Sequence, residues 1–244
     1  MNPISTNPAE TAATAPATIP APGSAAAFVT ANTELLPSPL VPEIRLHLAS
    51  EALPLWHRTE EELAQDGLPP PFWAFAWAGG QALTRYILDN PDSVRGRSVV
   101  DFASGSGIVA VAAAMAGAKR VLAADIDPFS VAAVGLNAAA NGVTVDVTGR
   151  DIIGDALDGF DIVLAGDICY EQPLSGRVEA WFRERVAAGM TVLMGDPGRT
   201  YRPKSGMVRL AHYAVPTSRE LEDNDVRSTD VWRFEAAGGT GSET

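Results

Sequence analysis

The sequence predicts an α/β fold: a doubly wound, seven-stranded, mostly parallel sheet with an antiparallel edge strand. Three observations carry that expectation. Short apolar runs alternate with helical stretches along the middle of the chain, as strands buried on both faces do. A glycine-rich turn, Gly105-Ser106-Gly107, follows the first of these runs and opens an apolar helix. Near the end, 207–215 and 228–234 read as two strands with no helix between them, hence an antiparallel pair at one edge.

Residues 1–27 are almost wholly Ala, Pro, Thr, Ser and Asn, too little bulk for a core, and are expected to form a disordered tail. A single folded domain is expected over 28–235, with an N-terminal extension at 28–78 and a flexible tail at 236–244. In the extension Pro37, Pro39, Pro42 and Pro54 interrupt the chain. Ile44, Leu46 and Leu48 alternate as in a strand while Leu53, Leu55 and Leu63 do not, so an irregular lid is expected over 28–68. Pro69 to Pro71 close it, and an aromatic run follows. Phe72, Trp73 and Phe75 read as core, whereas Trp77 abuts Gly79-Gly80 and faces the site.

A helix is expected to start near Gln81 and to stop at Asn90-Pro91. The first sheet strand is 98–102, followed by a sandwiched helix at 108–116 and a second strand at 119–124. Asp127-Pro128 pairs an N-cap with proline at the first helical position, and Asn141-Gly142 is a stop, which gives a helix at 128–140. Val143, Val145 and Val147 alternate as a third strand, 161–165 is a fourth, and 191–194 is a fifth. Between the last two lies a helix carrying Leu174, Val178, Trp181, Phe182 and Val186.

The 244 residues include 30 acidic and 18 basic side chains, a formal charge of -12 that opposes general affinity for a phosphate backbone. Nucleic acid is therefore not an expected partner. The single Cys169 allows no internal disulfide, and His47, His57 and His212 are too scattered for a metal cluster, so no metal is expected. With no apolar run long enough to span a bilayer and no secretory leader, a soluble, monomeric, cytoplasmic protein is expected. The arginine-free tail ranks the mitochondrial matrix second.

Gly105 to Ala110 satisfies G-x-G-x-x-A, so a nicotinamide or flavin ligand and oxidoreductase chemistry must be weighed. Against it stand four acids, Asp101, Asp125, Asp151 and Asp167, at successive strand ends on one rim of the sheet. They would repel a pyrophosphate. They suit a ligand with an ammonium, a sulfonium, ribose hydroxyls and an adenine amine, the groups of S-adenosylmethionine. Cys169 has no histidine near it in sequence and reads as a small buried hydrophobe. Glu220, Glu222, Asp223 and Asp225 read as a solvated loop. Arg199 and Lys204 receive no role.

Over 28–234 the chain resembles the seven-strand, S-adenosylmethionine-dependent, class I methyltransferases, and within them the lysine methyltransferases of the electron transfer flavoprotein β-subunit. The resemblance rests on PEIRLHL at 42–48, PFWAFAWAGGQAL at 71–83, DFASGSG at 101–107, DIDP at 125–128, DICY at 167–170 and GDPGR at 195–199. It implies S-adenosylmethionine as cofactor and that flavoprotein subunit as partner. Another protein, for example a ribosomal protein, or a small-molecule amine ranks behind it. It also implies that Trp77 and the turn with Ala103, Gly105 and Gly107 surround the methionine end, with Asp101 closing the first strand there. Asp125 takes the ribose hydroxyls, Asp151 the adenine amine, and Asp167 with Tyr170 the reacting amine. Ala103 stands where many methyltransferases have the first glycine of the turn, and is expected to keep φ below zero. Methyltransferases of amides and base amines carry a Pro-Pro sequence where this chain has Ile168-Cys169, which ranks those substrates lower.

Overall fold

The computed structural model describes residues 22–50, 69–217 and 225–236. The expectations for most of the acidic loop, for the C-terminal tail and for 51–68 lie outside the described residues. The described chain runs α1 (Pro22–Ala31), β1 (Glu34–Pro37), β2 (Arg45–Leu48), α2 (Ala78–Asp89), β3 (Ser98–Phe102), α3 (Ile108–Met115) and β4 (Arg120–Ala124). It continues α4 (Pro128–Ala140), β5 (Asp146–Thr148), β6 (Ile162–Gly166), α5 (Leu174–Ala187), β7 (Thr191–Asp196), β8 (Met207–Pro216) and β9 (Val226–Phe234). None of the described helices is long and apolar enough to cross a membrane.

The seven-stranded sheet has the order β5-β4-β3-β6-β7-β9-β8. Its first five strands are parallel. The expected antiparallel pair sits at one edge, and its order carries a refinement. β9 runs antiparallel to both neighbours and is inserted one place in, between β7 and the outermost β8.

Because side chains alternate across a strand, the sheet feeds two cores. Val99 of β3 joins Leu83, Ile87, Val111 and Val134 under α2, α3 and α4. Val100 and Phe102 join Trp181, Phe182 and Met194 under α5 on the other face.

The N-terminal extension is more regular than its prolines suggest. β1 and β2 form an antiparallel hairpin, held by side-chain amides rather than by the main sheet. Asn141 Oδ1 accepts from the Arg45 N–H and its Nδ2 donates to the Arg45 carbonyl. One turn earlier, Asn137 Oδ1 accepts from the His47 N–H, and its Nδ2 donates to the Ser106 carbonyl of the glycine turn. Buried Gln81 accepts from the Leu40 N–H at 2.9 Å. Amides at i and i+4 on one helix face thus take over the hydrogen bonds of an unpaired strand edge.

The expected disordered stretch at 1–27 is overturned at its end, because Pro22–Ala31 is helical. Proline suits a first helical position. Ala25 and Val29 are buried against Trp73, Phe129 and Ala133, where small side chains allow close approach.

Candidate active site

A cavity of about 520 Å³ lies beyond the carboxyl ends of the parallel strands, where open α/β sheets hold their ligands and in the size range of cofactor sites. Ala103 and Gly105 of the turn line it, together with Phe72 and Trp77 of the aromatic segment, residues 150–153, Tyr170 and Arg199.

The turn is left-handed at three positions: Ala103 (φ 51°), Gly105 (φ 52°) and Gly107 (φ 76°). The expectation that Ala103 keeps φ below zero is therefore wrong. A residue with a Cβ gives up about 1–2 kcal/mol in that conformation, and it persists where neighbours over-determine the path. Here the Ser104 N–H donates to the Ala124 carbonyl at 3.2 Å and the Gly107 N–H to Ser104 at 2.7 Å. Gly105 N–H donates to Asp125 Oδ2 at 2.8 Å. Gly105 lines the cavity. Gly107 does not; a Cβ there would meet Val134 at 2.9 Å, so it lets α3 approach α4.

The four rim acids separate. Asp101 is 1% exposed and does not line the cavity. It shares the parity of Val99 and points under α3, where Oδ2 accepts from the Ala110 N–H at 3.0 Å while Oδ1 has no partner. Burial pushes its pKa up to about 8, with the Asp125 charge adding to the effect. Asp125 does line the cavity. Its Oδ1 accepts from the Asp127 N–H and its Oδ2 from Gly105, and burial raises its pKa. Among the described residues no arginine or lysine pairs with Asp125. Asp127 is the N-cap of α4, accepting from the Phe129 N–H at 2.9 Å, and burial lifts its pKa to about 6. Asp151 lines the cavity and lies 3.7 Å from Arg177.

Asp167 lines the cavity, 8% exposed and with φ 55°, and its carboxylate is engaged. Oδ2 accepts from the Gly80 N–H at 3.1 Å, and Oδ1 accepts from Arg199 Nε at 3.2 Å and Nη2 at 2.8 Å. Arg199, given no role by sequence, is thus part of the site. The Gly80 contact depends on glycines. A Cβ on Gly166 would lie 2.8 Å from the Gly80 backbone, and one on Gly79 would press on the Gly195 carbonyl. Bare backbone lets the first turn of α2 rest directly on the ends of β6 and β7.

Three aromatics surround this point. Trp77 Nε1 donates to the Phe72 carbonyl at 2.8 Å, and the Phe72 ring lies 5.9 Å from Trp77 and 5.7 Å from Tyr170. Phe72 is 43% exposed and lines the cavity, which corrects its expected place in the core. Of the aromatics in the run Trp73 alone is fully buried, and Phe75 is partly buried, outside this cavity. Burial raises the Tyr170 pKa, with Glu171 and Asp125 adding to it, so the hydroxyl stays protonated. Cys169 is buried, with Sγ 3.7 Å from Met194 Sδ. Among the described residues no cluster of His, Cys, Asp and Glu could hold a metal ion.

Five parallel strands, an inserted antiparallel strand, a glycine turn and an acid one strand over form the Rossmann-like sheet and pocket of the class I methyltransferase fold. A family model described as ribosomal protein L11 methyltransferase matches residues 81–169. The chain is 36% identical to the electron transfer flavoprotein beta subunit lysine methyltransferase of Rattus norvegicus, over 85% of this chain and 83% of that one. It is 31% identical to the homolog in Caenorhabditis elegans, over 81% and 90%. A solved ribosomal protein L11 methylase from Lactobacillus delbrueckii subsp. bulgaricus is 19% identical, with a TM-score of 0.47 over 66% of this chain and 81% of that one. The chain belongs to the electron transfer flavoprotein beta subunit lysine methyltransferase family.

Proposed function

We propose that this enzyme transfers methyl groups from S-adenosylmethionine to lysine side chains of the electron transfer flavoprotein β-subunit. One observation carries the reading beyond family membership. Asp167 and Tyr170 line the same cavity as the glycine turn and Asp125, so acceptor-side and donor-side groups share one cavity.

The residues fit the donor. Asp125 offers oxygens fixed by two backbone N–H groups to the ribose hydroxyls. Phe102, Ile126 and Ile152 line an apolar stretch suited to adenine, with Asp151 at its edge for the exocyclic amine. Trp77, Ala103 and Gly105 surround the remaining, methionine end. Asp101 and Gly107 support the turn from behind, in place of the cofactor contacts their motif implies. Bound, the donor supplies an electrophilic methyl group on a sulfonium.

A lysine with a pKa near 10.4 is neutral in roughly one molecule in 2,500 at pH 7. Phe72, Trp77 and Tyr170 offer an apolar sleeve for its alkyl stem. Leaving water lowers the pKa of the amine. The Tyr170 hydroxyl and the fixed Asp167 carboxylate orient the nitrogen, whose proton leaves to solvent. Alignment is the main task in such a displacement, and no covalent enzyme intermediate is needed.

The test incubates the chain with radiolabelled donor and the flavoprotein, intact or with its target-region lysines changed to arginine. Label should appear in the intact protein only. Equal labelling of both would overturn the lysine assignment.

A further inference from the structure

The geometry points to Arg199 as a positioning residue for the reaction, one that acts through Asp167 by holding its carboxylate in a single orientation on the cavity wall. The inference rests on the reading above, in which Asp167 faces the acceptor amine.

Asp167 holds a left-handed backbone that costs a residue with a Cβ about 1–3 kcal/mol. Its N–H donates to the Gly195 carbonyl at 3.0 Å, its Oδ2 accepts from Gly80, and its Oδ1 takes both Nε and Nη2 of Arg199. With Oδ2 held by backbone and Oδ1 by the guanidinium, the plane of the carboxylate cannot turn. The directions in which it can still accept a bond are then set before an acceptor arrives.

Arg199 is itself aimed. Asp196, 1% exposed at the end of β7, accepts from the Gly198 N–H at 2.7 Å and the Arg199 N–H at 2.9 Å on one oxygen. That turn folds the guanidinium back over the sheet end, 5.9 Å from the Trp77 ring. The pair is largely buried, with 19% of the Arg199 side chain and 9% of the Asp167 side chain exposed. Burying two charges is costly, and an apolar pair would close the space as well. Placing the pair on the wall of the reaction cavity gives it a use that stability does not.

The experiment compares wild type, Arg199→Gln, Asp167→Asn and the double variant, with donor affinity measured by calorimetry and kcat and KM measured on a lysine-bearing substrate. Arg199→Gln should lower kcat about 10- to 100-fold, the range for losing a hydrogen bond to a charged group. Donor Kd should stay within threefold of wild type, since the reading above gives Arg199 no contact with the donor. The double variant should be no slower than Asp167→Asn alone, and Arg199→Lys should recover part of the loss. Unchanged kcat in Arg199→Gln, or losses that multiply in the double variant, would overturn the inference. The same four proteins are melted without substrate. The double variant should lose less Tm than the two single losses summed, and strictly additive losses would refute the coupling. Should wild type transfer nothing to lysine, the functional reading fails, and the melting cycle still judges the pair.

Discussion

Replacing Asp101 with Asn tests the physical account of the turn most directly. The carboxyl is 1% exposed, one oxygen accepts from Ala110, and the other has no partner. Its pKa rises from 3.8 to about 8, chiefly through burial. Between those values the native protein keeps a proton that the unfolded chain has released. Stability therefore falls as pH rises through the window from about 4 to about 8, and levels off above it. Four units at 1.36 kcal/mol each amount to roughly 5 kcal/mol, a large share of the stability of a typical domain. Asn cannot titrate. Its oxygen can keep the Ala110 bond, while its amide nitrogen takes the place of the unpartnered oxygen at about 1–3 kcal/mol. At pH 5, where Asp101 is protonated and also holds an unused donor, wild type and variant should differ by at most that amount. At pH 9 the variant should be the more stable by a few kcal/mol. Urea denaturation of both proteins at each pH measures the difference, in which the other raised carboxylates cancel. Parallel stability curves from pH 5 to pH 9 would refute the reasoning.

Gly79→Ala should lower Tm by about 5–10 °C, equivalent to about 2–3 kcal/mol of overpacking, because the new Cβ would lie 2.5 Å from Asp167 Oδ2 and press on Gly195. Gly135→Ala, whose Cβ meets nothing within 4 Å on α4, should instead raise stability by about 1 kcal/mol; a melt of each decides. Asp125→Asn should weaken donor affinity about 10- to 100-fold by calorimetry, and unchanged affinity would remove Asp125 from the donor site. Cys169 is 2% exposed, with burial pushing its thiol up to about 12. It should resist thiol reagents until the protein unfolds, and Cys169→Ala should keep activity within about threefold.

The backbone plan was largely legible. The helix expected at 128–140 runs Pro128–Ala140, because an Asp-Pro start and an Asn-Gly stop are local signals. β5 was legible only in part, since the valine alternation begins at Val143 while pairing to β4 covers Asp146–Thr148 alone. The rim acids were read from position, and parity decided among them. Asp101 alternates with Val99 onto the helix-covered face, a signal the sequence contains. Arg199 was not legible, because its partner lies 32 residues away and is reached only through the turn that Asp196 folds. Phe72 looked like core because a run of aromatics carries no local mark of which ring faces a cavity. The helix at Pro22–Ala31 was hidden by small residues whose burial depends on Trp73 and Phe129.

The insertion of β9 between β7 and β8 also orders the making of the protein. β8 leaves the ribosome before the strand it pairs with, and β7 has no neighbour on that side until β9 arrives. A chain made only as far as Pro216 holds the glycine turn, Asp125, Asp167 and Arg199 beside an open apolar strand edge, the kind of surface that recruits other chains. Synthesis of the last strand is then the step that closes the sheet, and substitutions at Val231 or Phe234 should act on yield in the cell more than on the reaction itself.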